Sequence, residues 1–257
     1  MKQILFITCC ILACLRVVPA HGQDTVVTFD QPGYSTAPFT VPRQSVQFEF
    51  GTSYNKITGW NETVFPSLMI RIPVLKKAEV RLTLNYEPQS NIFILDDVAN
   101  NHDPVALGFK YKFADQQGWK PSLAIAANAF YPFQILNQFS ASELNADAWL
   151  IAHNFIGDRH ELFYTAGYIR GNTRLKDILS WTFCYNYMIT KNVGAFVEYF
   201  GFQYFNSGRH EFGFDAGATY EFGRRFQLDV CYYYNIDAVN KMGYISGGVC
   251  YNVGLKK

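Results

Sequence analysis

Alternation of apolar and polar residues with a period of two is the feature that most limits what this chain can fold into. It is clear in residues 78–86, where Val80, Leu82 and Leu84 alternate with polar residues such as Glu79. A period of two puts successive side chains on opposite faces of a β-strand, whereas a helix needs a period of about 3.6. The sequence therefore predicts an all-β chain whose strands each have one apolar and one polar face.

Segments of this kind recur along the chain and give twelve candidate strands. Each is close to the roughly 9 to 11 residues that a tilted membrane-spanning strand requires. No stretch after the first residues has about 18 consecutive apolar residues, so no transmembrane helix is predicted. The candidate strands are residues 45–54, 64–72, 78–86, 105–113, 121–130, 145–153, 161–170, 179–189, 193–203, 211–222, 226–234 and 243–253.

The connections between these strands alternate in length. Tight links are predicted at residues 75–77, 157–159, 190–192 and 223–225, with a slightly longer one at 115–120, while wider segments fall at 88–103 and 131–144. Short turns at one end, longer loops at the other and an even strand count are typical of transmembrane barrels. In lipid only helices and closed barrels satisfy every backbone hydrogen bond. Residues 44–257 are therefore predicted to form a closed antiparallel transmembrane β-barrel, an up-and-down meander.

A secreted soluble β-sandwich would also show alternation and is the main alternative. Composition helps to separate the two, since charged residues make up 17% of the chain, below the roughly 25% usual in soluble domains. The chain also contains 17 tyrosines, and tyrosine collects at membrane interfaces. Strand length, alternating loops and tyrosine content together favour the barrel.

Residues 1–22 have the layout of a secretory signal peptide. Lys2 supplies a positive start, residues 4–15 form a short apolar stretch, and Ala20 and Gly22 are small residues at a cleavage site. Such a stretch is too short to span a bilayer as a helix. A lipoprotein signal ending at Cys14 is a less favoured alternative. Residues 23–43, rich in Pro and Thr, are predicted to be periplasmic or to enter the barrel lumen.

Three cysteines remain after signal removal, namely Cys184, Cys231 and Cys250. An odd number in an exported chain disfavours a disulfide framework. All three have the parity of the polar face. A symmetric last hairpin would put Cys231 opposite Ser246, so Cys250 would lie about 13 Å away at about 3.3 Å per residue, beyond disulfide reach. The sequence predicts free thiols.

Catalytic and metal-binding signatures are weak. An outer-membrane phospholipase site needs a histidine near a serine, but none of the histidines lies in the sequence arrangement of that enzyme family. His102, His160 and His210 fall in predicted turns or loops, and His153 is interpreted as a polar residue of the lumen or its rim. Residues 96–103 offer oxygen ligands without the glycine spacing of a calcium loop. No enzyme activity, metal or cofactor is predicted.

Charged residues with inward parity are the best candidates for a functional site. One interpretation is a salt-bridged interior, because small barrels fill their lumen with side chains; the other is a selectivity lining that binds a solute weakly. The structural role is favoured for any single charge. The lumen-lining candidates are Glu49, Arg71, Glu79, Arg81, Lys110, Lys112, Asp147, Glu198, Asp215 and Glu221.

Several motifs occur in an order that resembles a known family. They are TFDQPGYSTAPFTVP at residues 28–42, ALGFKYKF at 106–113, GWKP at 118–121, VEY at 197–199 and DAGATY at 215–220. Together they resemble the outer-membrane β-barrel transporter family of the meta-pathway of phenol degradation, and the resemblance covers the whole mature chain. It implies an outer-membrane barrel that passes small, often aromatic or hydrophobic molecules.

The expected function is therefore that of a porin-like channel or transporter for passive passage of such molecules across the outer membrane of a Gram-negative cell. A non-transporting structural or adhesive barrel is the alternative, and a lipid-modifying enzyme is a more distant one. The expected partners are outer-membrane lipid and an unidentified small-molecule solute, and the barrel is expected to be a monomer. With Lys+Arg 22 against Asp+Glu 21, the formal net charge of the chain is only +1, so the sequence lacks the strong excess of basic residues that is typical of a nucleic-acid binder.

Overall fold

The computed structural model describes residues 29–30, 33–57, 60–85, 105–131, 145–170, 177–205, 207–223, 225–236 and 242–254. The signal peptide predicted at residues 1–22 lies outside these ranges. Within them the chain forms twelve strands: β1 (Ser45–Ile57), β2 (Trp60–Leu75), β3 (Ala78–Asn85), β4 (Val105–Ala114), β5 (Ser122–Tyr131), β6 (Asn145–Ile156), β7 (His160–Arg170), β8 (Ile178–Met188), β9 (Val193–Tyr204), β10 (His210–Phe222), β11 (Phe226–Asn235) and β12 (Met242–Gly254).

Each strand pairs with its neighbours in chain order, and the sheet closes on itself. β1 pairs antiparallel with β12 from Ser45 opposite Gly254 to Lys56 opposite Gly243. The prediction of a closed antiparallel up-and-down barrel is confirmed, and the alternative of a β-sandwich is wrong. Closure leaves no open sheet edge.

The observed strands follow the predicted segments closely, with two differences at their ends. β1 and β2 continue to a pair between Ile57 and Trp60, so their connection is shorter than the predicted one. His160 and His210 are the first residues of β7 and β10 rather than turn residues, because the ladders extend to the Ile156–His160 pair and to His210 opposite Gln203. The predicted wide segments at 88–103 and 131–144 lie outside the described residues, apart from residue 131 at the end of β5.

The two faces of the wall differ sharply in exposure. Along β11, Val230 and Tyr232 are 47% and 53% exposed, whereas Cys231 and Tyr233 are 1% and 7% exposed. The exposed set is apolar on strand after strand, and a water-soluble monomer rarely exposes so large an apolar surface. A bilayer requires this arrangement of the outer face.

No helix among the described residues is long and apolar enough to cross a membrane.

The three described cysteines are free and buried, and their side chains share the inward parity. Cys231 lies opposite Ser246, so the register predicted for the last hairpin is confirmed. The register separates Cys231 from Cys250 along the barrel wall.

Arginine on the outer face tests whether this face meets lipid. We expect Leu150→Arg, at a half-exposed position midway along β6, to destabilise the barrel by about 2–4 kcal/mol, since a charge would enter the hydrocarbon layer. The matched control is Leu75→Arg at the end of β2, where about 0–1 kcal/mol is expected near the interface. Urea unfolding in lipid vesicles measures both. Equal effects of the two substitutions would contradict a lipid-facing belt at mid-strand.

Candidate functional site

All ten charged residues selected from the sequence lie on the inward side of the barrel wall. The structure brings five of them into one cluster on β1 to β4, and two more face each other on β9 and β10. The other three, Lys112, Asp147 and Glu221, lie apart from both groups. The barrel interior therefore contains two separate charged sites on opposite walls.

The segment that precedes β1 is part of this interior. Asp30 contacts the wall formed by β1 to β4, Tyr34 contacts the wall formed by β9 to β12, and Ala37 is back at the first wall. The backbone N–H of Ala37 donates to Asp30 Oδ1 at 3.3 Å, which holds the two ends of this excursion together. We call residues 30 and 33–37 the lumenal loop. Its tip crosses the barrel from one wall to the other.

Six buried charges form what we call the charge cluster. Its centre is Arg71, whose guanidinium lies 2.9 Å from Glu49 Oε1 and 2.9 Å from Glu79 Oε1. Arg81 Nε also lies 2.9 Å from Glu79 Oε1. The members are Asp30, Glu49, Arg71, Glu79, Arg81 and Lys110, all with side chains less than a tenth exposed.

Asp30 belongs to the lumenal loop yet contacts every cation of the cluster. Lys110 Nζ lies 3.1 Å from Asp30 Oδ2, Arg71 Nη1 lies 3.6 Å from Oδ1, and Arg81 forms a direct ion pair with it. Burial raises the pKa of Asp30, but Arg71, Arg81 and Lys110 together outweigh burial and lower it below its usual value. Asp30 is therefore ionised at neutral pH and completes a neutral cluster of three acids and three bases.

The charge cluster also binds the loop backbone. Glu49 accepts the Asp30 N–H at 3.1 Å and 3.2 Å through its two oxygens. Lys110 donates to the Ala37 carbonyl at 2.8 Å, and Glu79 accepts the Val41 N–H at 2.8 Å. Main-chain groups that would otherwise be buried without partners are thus satisfied by ionised side chains, and such bonds are stronger than neutral ones.

The opposite wall holds the tip of the loop through a carboxylate. Glu198 of β9 accepts the Tyr34 N–H at 2.8 Å and the Ser35 hydroxyl at 2.5 Å. Thr182 Oγ1 of β8 lies 2.6 Å from the same Ser35 oxygen. Gly33 has φ of +100°, and a side chain there would collide with Glu198. Glycine is therefore required for the chain to approach this carboxylate so closely.

Asp215 lies directly across from Glu198 in the β9–β10 ladder. It is 2% exposed, and its carboxyl group interacts with the neighbouring side chains of Glu198 and Cys231. In contrast with the charge cluster, no described Lys or Arg forms an ion pair with Glu198 or Asp215. This wall is acidic where the other is neutral.

Aromatic rings line the acidic wall around Tyr34. The Tyr34 ring centroid lies 4.5 Å from that of Phe200, 5.7 Å from Phe202 and 5.4 Å from Tyr233. Tyr233 in turn stacks on Tyr244 at 4.2 Å. We call these four wall residues the aromatic cage.

Glycines on β10 explain why these rings lie along the wall. A Cβ at Gly213 would collide with the ring of Phe200, and one at Gly217 would lie 2.6 Å from the ring of Phe196. Both glycines have the inward parity and leave room on either side of Asp215. The rings therefore pack against bare backbone.

The remaining candidates contact other parts of the chain. Lys112 lies 2.7 Å from Asp115 and over the Phe39 ring at 4.6 Å. Asp147 Oδ1 accepts the Asn128 side-chain amide at 2.7 Å. Glu221 is inward-facing and half-buried near the end of β10.

His153 is fully buried and inward-facing. Its ring lies among Phe39, Phe155 and Phe163, with centroids 4.4 to 5.0 Å away. Neither ring nitrogen has a hydrogen-bond partner among the described residues, although Nε2 lies 3.7 Å from Glu161. Ser122 lies directly opposite His153 in the β5–β6 ladder and is 2% exposed, and its hydroxyl accepts the Gln116 N–H at 3.0 Å.

Sequence reasoning missed two kinds of residue in this site. Asp30 was placed only within a segment that is either periplasmic or lumenal, because no periodicity marks it as part of the wall. The inward aromatic residues were missed because the inner face was expected to be polar. Two features of the sequence indicate them. Phe200 and Phe202 have the same parity as the inward-facing Glu198, and the neighbouring strand β10 has glycines at its inward positions.

Among the described residues, no three His, Cys, Asp or Glu side chains are grouped so that they could hold a metal ion.

Comparisons with known proteins agree with this architecture. The sequence matches the model of the family described as "Putative MetA-pathway of phenol degradation" over residues 29–250. This match confirms the resemblance inferred from the motifs. No match was found among curated proteins.

Two solved structures share the fold at low sequence identity. The crystal structure of the COG4313 outer membrane channel from Pseudomonas putida F1 is similar with a TM-score of 0.55 and 8% identity, covering 87% of this chain and 99% of that one. The KdgM porin is similar with a TM-score of 0.54 and 10% identity, covering 80% of this chain and 98% of that one. At such low sequence identities, the similarity shows only that the barrel fold is shared.

Removing the central cation tests the energetics of the charge cluster. We expect Arg71→Met to destabilise the protein by about 3–5 kcal/mol, because three buried carboxylates would face two cations. The matched control is Lys77→Met, which breaks the Lys77–Asp115 pair, with side chains 39% and 55% exposed, and should cost at most about 1 kcal/mol. Urea unfolding in lipid vesicles gives both values. A loss for Arg71→Met no larger than the control would show that the cluster is not desolvated.

Proposed function

The chain belongs to the phenol-degradation family whose model it matches, and from this membership we propose that it is an outer-membrane channel for passive passage of small aromatic or hydrophobic molecules. We further propose that residues 1–22 are a signal peptide removed during export through the periplasm. The mature chain would then insert as a monomer, with outer-membrane lipid around its apolar belt. The likeness of the fold to an outer-membrane channel and to a porin supports this location.

One observation carries the proposal. Only non-covalent contacts hold the lumenal loop across the interior, and part of the loop surface is exposed to the lumen. Tyr34, at the tip, is 38% exposed although it lies inside the barrel. Ion pairs and hydrogen bonds can break and re-form, so the loop can move. Side chains of the strands, in contrast, would fill a lumen permanently because they are attached to the wall. The loop therefore narrows a passage that its movement would widen.

The lining supports a preference for solutes without a net charge. One wall has its charges neutralised within the charge cluster, and the other combines the aromatic cage with two acidic residues. Aromatic side chains bind apolar rings through dispersion and edge-to-face contacts. A small aromatic molecule would find partners along this wall, and an anion would be repelled by Glu198 and Asp215.

A non-transporting structural barrel is the second candidate, and the charge cluster is the observation that favours it. Cations from three strands bind the loop through a buried, neutral network, which could hold it in the lumen permanently. An enzyme is a weaker proposal. His153 lies among aromatic rings and opposite Ser122 in the β5–β6 ladder. Neither of its ring nitrogens has a hydrogen-bond partner among the described residues, whereas a hydrolase of this kind requires a histidine that is hydrogen-bonded to its serine.

A substitution that releases the lumenal loop from the charge cluster distinguishes a channel from a sealed barrel. We expect Asp30→Asn to raise solute flux and single-channel conductance several-fold, because it removes the negative charge that ties the loop to Arg71, Arg81 and Lys110. The measurements are liposome swelling with small aromatic solutes and planar-bilayer recording. The matched control is Asp115→Asn, which neutralises a carboxylate outside the charge cluster, in the β4–β5 turn. Hydrogen bonds from Lys112 and Lys77 lower the pKa of Asp115 to about 2, so this substitution also removes an ionised group, and wild-type flux is expected.

Absence of flux in both the wild-type protein and Asp30→Asn would contradict the channel and leave the structural barrel. Folding of each variant is checked by the heat-dependent shift in gel mobility that folded barrels show. Turnover of phospholipid that is lost in His153→Ala would instead support the enzyme.

A further inference from the structure

The side chain of Tyr34 is a phenol, and the aromatic cage surrounds it on three sides. Phe200 lies at 4.5 Å with a tilted ring, while Phe202 and Tyr233 meet the Tyr34 ring edge to face at 5.7 and 5.4 Å. Such geometries are the favourable ones for aromatic pairs. The cage thus has the dimensions and the orientation to hold one six-membered ring.

The hydroxyl of Tyr34 has a defined partner in the same cage. Its oxygen lies 2.9 Å from the hydroxyl oxygen of Tyr244. Desolvation within the barrel raises the pKa of Tyr34 to about 12, against a lowering by the bond to Tyr244, and the nearby carboxyls Asp215 and Glu198 raise it further. The bound group is therefore a neutral phenol, and a phenolate would be repelled.

The wall residues are fixed independently of Tyr34. Phe200 packs over Gly213, where any side chain would collide with it, and Tyr233 stacks on Tyr244 at 4.2 Å with nearly parallel rings. Strand pairing sets the backbone of all four cage residues. The cage would keep its shape if Tyr34 left it.

Tyr34 and the ends of its loop are held by different groups. The ends contact the buried charge cluster at Asp30 and Ala37, whereas the tip is held by ring contacts and by hydrogen bonds from Gly33, Tyr34 and Ser35 to the opposite wall. More than a third of the Tyr34 surface is exposed. Movement of the Tyr34 ring out of the cage would break its ring contacts and its bond to Tyr244, but none of the contacts of the charge cluster.

From this geometry we propose that the aromatic cage is a binding subsite for a small neutral phenol, and that Tyr34 is its built-in competitor. The proposal rests on the proposed function, because the solute must first reach the lumen. It extends that function by naming the class of solute. A phenol entering the lumen takes the place of the Tyr34 ring, donates to or accepts from Tyr244, and keeps that ring out of the cage.

The same contacts set the selectivity of the subsite. A phenol gains both the ring contacts and the hydrogen bond to Tyr244, whereas toluene gains the ring contacts alone. Benzoate brings a negative charge beside Glu198 and Asp215. Affinity should therefore fall in the order phenol, toluene, benzoate.

Removal of the competitor is the test. Isothermal titration calorimetry measures phenol binding to the folded full-length barrel in detergent, with toluene and benzoate as comparison ligands. If Tyr34 fills the cage in about nine molecules of ten, Tyr34→Ala should bind phenol about tenfold more tightly than wild type. Tyr34→Phe is the matched comparison, because its ring still fills the cage but lacks the hydroxyl that bonds Tyr244, so its phenol affinity should lie between those of wild type and Tyr34→Ala.

A second substitution tests the hydroxyl. In the Tyr34→Ala background, Tyr244→Phe should lower phenol affinity several-fold and leave toluene affinity unchanged, a difference that a general loss of stability would not produce. Circular dichroism and the heat-dependent gel shift establish that each variant is folded.

The proposal is overturned if folded Tyr34→Ala binds phenol no better than wild type, or if toluene and benzoate gain as much as phenol. These outcomes are independent of transport, because binding is measured without a membrane gradient. Tight phenol binding with no flux in liposomes would contradict the proposed channel and support the proposed subsite. Flux in liposomes, with no gain in phenol affinity in Tyr34→Ala, would support the proposed channel and contradict the proposed subsite.

Discussion

Closure of the sheet between β1 and β12 is the constraint on which the rest of the structure depends. Once Ser45 pairs with Gly254 and the ladder runs on to Lys56, every strand has a partner on both sides and the backbone needs no water. The pleat then puts alternate side chains inside and outside. The apolar belt and the charged interior are two consequences of the same pairing, and a shift by one residue would exchange them.

Charge balance explains why the lumenal loop belongs to the interior. Without Asp30, the wall of β1 to β4 would bury two carboxylates, Glu49 and Glu79, against three cations. The loop supplies the missing negative charge, since a buried unpaired charge is strongly unfavourable. On the opposite wall the loop supplies hydrogen-bond donors, namely the N–H of Tyr34 and the hydroxyl of Ser35, to the Glu198 carboxylate, which has no ion pair with a Lys or Arg among the described residues. One short loop therefore complements two walls of different charge.

The sequence predicted the barrel well because strand length and parity are local properties. Twelve segments, the tight turns at 157–159 and 190–192 and even the Cys231–Ser246 pair followed from counting residues along alternating runs. The interior was harder to predict, because Arg71, Glu79 and Lys110 meet only after strands pair, and Asp30 lies in a segment without periodicity. In β9 both faces carry large apolar residues, with Val197 and Tyr199 outside and Phe196 and Phe200 inside, so polarity no longer identifies the inner face. The inward glycines of β10 are the signal that rings lie against the wall.

The loop contacts the charge cluster at its ends and the acidic wall at its tip, and this has a consequence for any molecule that enters the lumen. A charged solute that competed for Arg71 or Lys110 would have to uncover buried charges, which is unfavourable unless the solute replaces every contact. A neutral ring competes only for the cage that the Tyr34 ring fills, so it exchanges one set of aromatic contacts for an equivalent set and leaves the charge cluster and the hydrogen bonds of Glu198 in place. The energetic difference between these two routes arises from the positions of Asp30 and Tyr34 in the same loop. It gives the interior a preference for neutral aromatic molecules without requiring a wide pore.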